Sequence, residues 1–535
     1  MKIEVNMKAV CIATCLSIAA VAIAAVADTV GMDERLARVK AVGDGVCRID
    51  GVAVVTRADP EGEDPLAQWA AMQKDDSKAE GAFVRVDFSI VPEAGSDIRC
   101  RAELPLPGKW DGRMWGLGNG GYAGRLPSIA PYVAAGTAAV TTDLGTSAIT
   151  DGGKSNSKIW PKNVQRDYNW RATHLMTVYG KGIVKAFYGR QCDKAYFCGG
   201  SCGGRQAMCE AIRFPGDYDG IISVLPANNS AATEIAIWNL WRQTHDADGK
   251  SLFTTNEMRA VSDAAVAFRA ESDPAPYAGR FLADARFSEA DVDGFLALAA
   301  KKCPSLAVGD KIARLKAVHM PLVHDGKCYF NGFAPGSYLG KNMSWMGVVN
   351  FRSYLQEHGV TCRKWKDIGW KEVEGYLKEY APEFNACSPD LSAFAARGGK
   401  LIMTVGWEDQ TVPPAPIVDY YERVCRRDGG IENTKSYFRM FCIPGCAHGG
   451  GKGRAMTASP GGKMMRDLLV GWREGGKAPE SITVSAGQGV GTMPVAPYPG
   501  LFVKDASGRW SVRQAERGVM PISDICLETL LEVGR

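Results

Sequence analysis

One segment of the sequence carries a catalytic pattern: Lys194-Ala195-Tyr196-Phe197-Cys198-Gly199-Gly200-Ser201-Cys202-Gly203-Gly204-Arg205-Gln206. It predicts a short apolar strand, then a serine between glycines, then a helix over 206–214. Gly199-x-Ser201-x-Gly203 is the nucleophile-elbow pattern, in which small residues let a strand turn sharply into a helix and leave the hydroxyl exposed. Glycine accounts for 61 of the 535 residues, so the pattern also arises by chance and the rest of the chain must decide whether Ser201 is a nucleophile.

Two loops that follow predicted strands offer an acid and a base. Residues 399–406 form an apolar strand that runs into Trp407-Glu408-Asp409, and residues 437–444 form another that runs into Gly445-Cys446-Ala447-His448. Open α/β sheets place their chemistry just after the carboxyl ends of strands. Ser201, Asp409 and His448 therefore stand in the chain order nucleophile, acid, base of an α/β-hydrolase.

These residue types have complementary roles. A serine hydroxyl is a weak nucleophile until a histidine takes its proton, and the histidine needs a carboxylate that holds its tautomer and stabilises the imidazolium. His448 is the only histidine after Asp409. Glu408 is the alternative carboxylate.

A glycine-rich loop over 113–124 has two possible uses. In an α/β-hydrolase it exposes a backbone amide, so we expect the oxyanion to be held by the amide of Cys202 and by that of Gly120 or Gly121. The same loop, from Gly116 to Gly121, also satisfies G-x-G-x-x-G, with Asp143 at the distance of a ribose-binding acid. That nicotinamide-binding alternative requires a helix opening at the third glycine, and residues 122–131 contain one further glycine and two prolines, which disfavour it.

The remaining pattern predicts an α/β-hydrolase core with a large inserted, mainly helical lid. Residues 83–90 and 98–104 alternate as antiparallel strands do, and 136–143 reads as a buried parallel-type strand. The predicted divisions are a signal peptide (1–27), the first part of the core (28–227), the lid domain (228–386) and the second part of the core (387–535).

The amino terminus predicts export. Lys2 and Lys8 precede an apolar run over 9–26, and Ala25-Val26-Ala27 fits a cleavage site before Asp28. The alternative is an uncleaved membrane anchor, since the run nearly spans a bilayer. We expect a periplasmic or secreted protein with no membrane contact after cleavage.

The charge and the cysteine content indicate which partners and which cellular compartment to expect. The net charge of +4 comes from interspersed charges without a basic run, so we expect no nucleic-acid partner. Two of the 16 cysteines, Cys11 and Cys15, lie in the predicted signal. The other fourteen predict several disulfides in an oxidising compartment, and no spacing points to zinc.

Several further motifs extend over most of the chain, from about Ser96 to His448. They are Gly118-Asn119-Gly120-Gly121-Tyr122-Ala123-Gly124, Thr142-Asp143-Leu144-Gly145, Asn169-Trp170-Arg171-Ala172-Thr173-His174, Gly203-Gly204-Arg205-Gln206, Arg213-Phe214-Pro215, Asp219-Gly220-Ile221, Pro226-Ala227-Asn228-Asn229, Gly406-Trp407-Glu408-Asp409 and Tyr420-Tyr421-Glu422-Arg423-Val424. In these the sequence resembles the tannase and feruloyl esterase family, which includes mono(hydroxyethyl) terephthalate hydrolases. The resemblance implies an α/β-hydrolase core with a large lid and hydrolysis of esters of hydroxylated aromatic acids.

The sequence departs from that family in two places. The family's cysteines directly before the serine and directly after the histidine are Gly200 and Gly449 here. Cys202 and Cys446 lie nearby, so we hypothesise a displaced Cys202–Cys446 disulfide; the alternative is that both pair elsewhere or stay free. The family's Asp-rich calcium loop has no counterpart in 261–266, and the acidic run 245–249 lacks enough ligands for calcium, so we expect no cofactor, with calcium in the lid as the open alternative.

The sequence thus predicts a secreted serine esterase with Ser201 as nucleophile, His448 as base and Asp409 as the orienting acid. Its substrate is a small aromatic ester. The alternatives from other classes are a nicotinamide-dependent oxidoreductase that uses the loop from Gly116 to Gly121, and a catalytically silent binding protein on the same fold. The acyl group and the oligomeric state are not specified by the sequence.

Overall fold

The computed structural model describes residues 30–57, 80–151, 154–155, 160–274, 277–341, 349–360, 365–449, 460–487, 489–505 and 507–514. Its strands are β1 Cys47–Arg57, β2 Glu80–Ile90, β3 Ile98–Pro105, β4 Arg113–Leu117, β5 Ala138–Thr142, β6 Thr150–Asp151, β7 Lys154–Ser155, β8 Lys194–Gly200, β9 Gly220–Val224, β10 Leu322–His324, β11 Lys327–Phe330, β12 Lys400–Gly406, β13 Phe438–Ile443, β14 Ile482–Ala486, β15 Gly491–Val495, β16 Gly500–Lys504 and β17 Trp510–Gln514.

Fifteen α-helices are described. They are α1 Met32–Lys40, α2 Ala130–Ala134, α3 Lys162–Arg166, α4 Ala172–Tyr188, α5 Cys202–Arg213, α6 Ser230–Thr244, α7 Thr255–Arg269, α8 Glu289–Lys302, α9 Lys311–His319, α10 Val349–Glu357, α11 Trp370–Phe384, α12 Ser392–Ala396, α13 Pro414–Arg427, α14 Ile431–Lys435 and α15 Gly462–Gly475. A π-helical turn, Asp167–Arg171, leads directly into α4.

Nine strands form one mixed sheet in the order β1-β2-β3-β5-β4-β8-β9-β12-β13. The pairs from β1 to β5 are antiparallel, and every pair from β5 through β4 to β13 is parallel. With helices on both faces, this sheet confirms the α/β-hydrolase core predicted from the sequence. The carboxyl ends of β8, β12 and β13 consequently meet at one edge.

The alternation of side chains along β8 shows how the core is divided. Phe197 packs on one face with apolar residues of α4 and α5, whereas Tyr196 and Cys198 pack on the other face with Leu469 and Trp472 of α15. Strands that are covered on both faces need apolar residues at nearly every position, which is why these strands read as continuous apolar runs.

Helices α6 to α12 and the hairpin β10–β11 lie between β9 and β12 in the chain. Tyr354, Tyr376, Tyr380 and Phe384 pack together there, so this region has an aromatic core of its own. The division at 228 and 386 into core and lid stays a prediction.

Two parts of the described chain were not predicted from the sequence. Strand β1 is an 11-residue edge strand paired with β2 through two register shifts, which interrupt the alternation that the sequence pattern would otherwise show. Beyond His448, α15 and the hairpins β14–β15 and β16–β17 lie in a tail in which the sequence showed no motif.

The amino-terminal prediction falls outside the described residues, because 1–29 are not among them. No helix in the described ranges is both long and apolar enough to cross a membrane. The signal peptide therefore stays a prediction.

The expectation of several disulfides is wrong for the cysteines that the structure describes, because no disulfide joins any of them. Cys47, Cys100, Cys198 and Cys442 lie in strands of the large sheet, where their side chains are buried. Burial raises the pKa of the Cys100 and Cys442 thiols well above the ordinary value. Such thiols pack as small apolar side chains.

Candidate active site

The serine lies at a sharp turn between β8 and α5. Ser201 has φ of 59° and ψ of −119°, a conformation that non-glycine residues rarely adopt. The flanking glycines make the turn possible, since a Cβ on Gly199 would lie 2.3 Å from the carbonyl oxygen of Gly203, and one on Gly204 would lie 2.8 Å from Cα of Pro226. The helix begins at Cys202, immediately after the serine rather than at 206 as the sequence predicts.

The structure brings Ser201, His448 and Asp409 together. His448 Nε2 lies 2.9 Å from Ser201 Oγ, and His448 Nδ1 lies 2.7 Å from Asp409 Oδ2. The Asp409 side chain is 1% exposed and that of His448 is 14% exposed. A serine, a histidine and a carboxylate are thus joined by two hydrogen bonds at the carboxyl edge of the parallel strands.

The carboxylate is fixed by its own loop. Asp409 Oδ1 accepts hydrogen bonds from the backbone amides of Thr411 and Val412, both at 2.8 Å. Its other oxygen is left for His448. Glu408, the alternative from the sequence, accepts from the amide of Leu282 at 3.4 Å, so Asp409 and not Glu408 meets the histidine.

The histidine loop is attached to the same acid loop. The amide of His448 donates to Gln410 Oε1 at 3.2 Å, and Gln410 Nε2 donates to the carbonyl of His448 at 3.4 Å. Sequence reasoning missed Gln410, because a glutamine in a loop carries no recognisable motif. Burial by itself lowers the pKa of His448, but the charge and hydrogen bond of Asp409 outweigh it and raise the pKa above the ordinary 6.5.

The glycine-rich loop lies against the elbow. The amide of Asn119 donates to Gln206 Oε1, Gln206 Nε2 donates to the carbonyl of Asn119, both at 3.0 Å, and Gly118 donates to the carbonyl of Cys198 at 2.9 Å. Within the described chain, no backbone acceptor is recorded for the amides of Gly120, Gly121 and Cys202. These are the three amides that the sequence predicts for the oxyanion hole.

The same loop lacks the feature that a dinucleotide site needs. No helix opens at Gly121, and the next helix, α2, begins only at Ala130. Asp143 is 1% exposed and accepts from the amides of Arg99 and Gly145, so it closes a turn inside the protein. Burial raises the pKa of its carboxyl to about 6. The described fold therefore has neither the helix at Gly121 nor the accessible acid at Asp143 that a nicotinamide-binding site requires.

The hypothesis of a Cys202–Cys446 disulfide is wrong for this structure, in which Cys202 is a thiol. Its sulfur lies 3.0 Å from the hydroxyl of Tyr168. Cys446 is buried, and its backbone lies so close to Gly406 of β12 that a Cβ on Gly406 would come within 2.5 Å of the Cys446 carbonyl oxygen. The Cys446 sulfur lies 3.8 Å from the carbonyl oxygen of Ala447. The two sulfurs are thus engaged with different partners.

Two regions are relevant to metal binding. Residues 261–266, where the family resemblance places calcium, belong to helix α7, and Asp246 Oδ1 accepts from the amides of Asp248 and Lys250, as in a turn. Potential ligand atoms of His174, Glu210 and Asp217 lie within 4.8 Å of one another away from the triad. Lys181 donates to the Asp217 carbonyl, so a cation is already present there. The expectation of no cofactor stays a prediction.

A serine at a strained strand-to-helix turn, hydrogen-bonded to a histidine that is held by a buried acid, is the arrangement typical of hydrolases with the α/β-hydrolase fold. Comparison with known proteins agrees. The sequence matches the family described as tannase and feruloyl esterase over residues 84–275 and 346–516. The chain belongs to that family, and the protein is a carboxylic ester hydrolase.

Relatives of known name lie in fungi and bacteria. The chain is 28% identical over 426 residues to a probable feruloyl esterase B-2 of Aspergillus flavus, covering 74% of this chain and 78% of that protein. It is 25% identical over 540 residues to the mono(2-hydroxyethyl) terephthalate hydrolase of Piscinibacter sakaiensis, covering 83% and 86%. Both alignments extend over most of each protein.

Solved structures confirm the fold. Feruloyl esterase B from Aspergillus oryzae superposes with a TM-score of 0.74 at 21% identity, covering 90% of this chain and all of that one. Tannin acyl hydrolase from Aspergillus niger superposes with a TM-score of 0.66 at 17% identity, covering 94% and 97%.

Proposed function

We propose that the protein is an exported serine esterase that hydrolyses esters of hydroxylated aromatic acids through an acyl-enzyme on Ser201. The observation that carries the proposal is the pair of hydrogen bonds that joins Ser201 Oγ to His448 Nε2 and His448 Nδ1 to Asp409 Oδ2. This geometry matches the requirement that the base lie within hydrogen-bond reach of the nucleophile and be oriented by a third group.

In the acylation half, Ser201 Oγ attacks the ester carbonyl while His448 Nε2 takes the hydroxyl proton. The oxyanion of the tetrahedral intermediate accepts hydrogen bonds from the amide of Cys202 and from that of Gly120 or Gly121. His448 then gives its proton to the alcohol oxygen, the C–O bond breaks, and the alcohol leaves. Asp409 stays ionised throughout and stabilises the imidazolium.

Deacylation repeats these steps with water as the nucleophile. His448 takes a proton from water as its oxygen attacks the acyl carbon, and the same amides hold the second oxyanion. Collapse breaks the bond to Ser201 Oγ, to which His448 returns the proton. The products are the aromatic acid and the regenerated enzyme.

The substrate class rests on the family and on the names of its members. The relatives include feruloyl esterases and a mono(2-hydroxyethyl) terephthalate hydrolase, and a structural neighbour is a tannin acyl hydrolase. A panel of methyl gallate, methyl ferulate and mono(2-hydroxyethyl) terephthalate, with methyl acetate as the control, tests the class. We expect kcat/KM on at least one aromatic ester to exceed that on the acetate by orders of magnitude; equal values would contradict an aromatic specificity.

Export is proposed on the sequence of the amino terminus. Expression of the full chain with its own first 27 residues in a bacterium, followed by amino-terminal sequencing of the periplasmic or medium fraction, should give Asp28 as the first residue. Recovery of the uncleaved chain in the membrane fraction would support the anchor instead.

A catalytically silent binding protein on this fold is the second candidate that the test must distinguish. It would bind the aromatic esters without releasing alcohol. Release of methanol from a methyl ester by the parent protein, with loss of that release in Ser201→Ala, excludes it.

A further inference from the structure

Tyr168 lies where the two halves of the proposed oxyanion hole meet. Its hydroxyl donates to the carbonyl oxygen of Gly121 at 2.8 Å and lies 3.0 Å from the sulfur of Cys202. Gly121 belongs to the glycine-rich loop, and Cys202 is the first residue after the nucleophile. One side chain therefore contacts both segments whose amides would hold the oxyanion.

The two contacts form a directed chain. The Tyr168 hydroxyl has one proton, and a carbonyl oxygen is a stronger acceptor than a thiol sulfur, so the proton goes to Gly121. The thiol of Cys202 can then donate its weak hydrogen bond to the Tyr168 oxygen. Gly121 has φ of +59°, a conformation that glycine adopts without strain, and the hydrogen bond from Tyr168 fixes the position of its carbonyl.

Tyr168 itself is held firmly. It is 3% exposed, its ring meets that of Trp160 edge to face at 5.1 Å, and the Arg205 guanidinium lies 4.6 Å over its ring. Arg205 Nη2 also donates to the Tyr168 carbonyl at 3.1 Å. Burial raises the pKa of the hydroxyl well above its ordinary value, so it keeps its proton across the working pH range. Tyr168 belongs to the π-helical turn Asp167–Arg171, and such turns recur at functional sites.

We propose that Tyr168 is a positioning residue. It fixes the relative positions of the Gly121 and Cys202 backbone amides, so that both can donate hydrogen bonds to the oxyanion. The proposal rests on the proposed function. It accounts for the place of Cys202, whose sulfur contacts Tyr168 instead of forming a disulfide with Cys446. Tyr168 would touch no reacting atom and would act on the transition state only, because the oxyanion exists only there.

The test is Tyr168→Phe, which keeps the ring and removes the hydroxyl. We expect kcat to fall about tenfold with KM unchanged, less than the ~10²–10³ lost when an oxyanion donor is itself removed. The inhibition constant of an arylboronic acid, which forms a tetrahedral adduct with the serine, should rise by the same factor. The inhibition constant of the product acid should not change.

The matched control is Tyr188→Phe. Tyr188 is also buried and donates to a backbone carbonyl, that of Pro105, at 2.7 Å, but it contacts neither loop of the site. Both variants should lose similar thermal stability, and only Tyr168→Phe should lose kcat. Cys202→Ala removes the thiol and leaves the bond to Gly121, so we expect it to lose less kcat than Tyr168→Phe.

Three outcomes would overturn the proposal. They are a Tyr168→Phe kcat within about twofold of the parent, an equal loss in Tyr188→Phe, or weaker boronate binding matched by weaker binding of the product acid. Failure of the proposed function looks different. In that case Ser201→Ala would retain hydrolysis, and the boronate would not bind Ser201.

Discussion

Among the described residues, two histidine–aspartate pairs have the same length, and they differ in what else surrounds the histidine. His448 Nδ1 lies 2.7 Å from Asp409 Oδ2, and His174 Nδ1 lies 2.7 Å from Asp217 Oδ2. His448 presents its other ring nitrogen to Ser201 at the carboxyl edge of the sheet. The ring of His174 instead stacks on Phe214 at 3.7 Å.

The acids differ in the same way. Asp409 is surrounded by backbone donors that leave one oxygen for the histidine. Beside Asp217 lies the buried carboxyl of Glu210, whose pKa burial raises well above the ordinary value, with Lys181 as the nearby cation. The second cluster thus has a histidine, an acid and burial, and among the described residues no serine hydroxyl is hydrogen-bonded to its histidine. Of these two histidine–aspartate pairs, the one that contacts a strained serine is the one for which we propose a catalytic role.

The largest effect should come from the nucleophile and its base. Ser201→Ala and His448→Gln should each lower kcat by roughly 10⁶-fold, because the two act as one unit, while His174→Gln should retain parent kcat. Ester hydrolysis with circular dichroism as the folding control measures all three. Loss of activity in His174→Gln with an intact fold would remove the distinction between the two pairs.

The next largest difference should be between the effects on kcat of substituting the two aspartates. Asp409→Asn should lower kcat about 10⁴-fold, because the amide holds the imidazole in the wrong tautomer and cannot stabilise its charge. Asp217→Asn should change thermal stability and leave kcat at the parent level. Comparable kinetic losses in both variants, at equal stability, would contradict the assignment.

The pH profile sharpens the comparison further. His448 must be neutral to act as a base, so kcat/KM should fall as the pH drops below the pKa of His448. Because Asp409 raises that pKa, the acid limb of the kcat/KM profile should lie above about pH 6.5. His174→Gln should have the same limb. A limb that moved in His174→Gln would show that the wrong histidine had been assigned.

The smallest effect concerns stability alone. Burial raises the pKa of Glu210 in the folded state. At a pH between about 4.5 and that raised pKa, the folded protein therefore holds a proton that the unfolded chain has lost. The contribution of Glu210 to the free energy of unfolding consequently falls as the pH rises through this range. Glu210→Gln removes this dependence, and at pH 8 it should be as stable as the parent or more so, by ~1 kcal/mol. Urea unfolding at pH 5 and pH 8 measures it. Destabilisation at pH 8 but not at pH 5 would reverse the sign.

The sequence predicts the triad residues because each of them follows a buried strand, and the carboxyl ends of parallel strands meet at one edge. Ser201, Asp409 and His448 could therefore be paired without knowledge of their distances. The sheet around them was predictable for the same reason, since apolar runs such as 399–406 mark strands that are covered on both faces.

Other features of the site depend on where side chains point, which the sequence does not specify. The Cys202–Cys446 disulfide was wrong because closeness to the same two loops says nothing of where each sulfur points. The Cys202 sulfur lies beside the Tyr168 hydroxyl, and the Cys446 sulfur lies beside the carbonyl oxygen of Ala447. Gln410 and Tyr168 make hydrogen bonds to loops that lie far from them in the sequence, and no sequence spacing encodes such contacts. Strand β1 was missed because its register shifts interrupt the alternation.

The most direct measurement is covalent labelling with a fluorophosphonate followed by peptide mass mapping. With Ser201 as the nucleophile, the parent protein should take up one label on the peptide that contains Ser201 and lose ester hydrolysis in proportion. Ser201→Ala should take up none. Hydrolysis that continues in the fully labelled protein, or a label on another residue with Ser201 unmodified, would contradict the assignment of the active site.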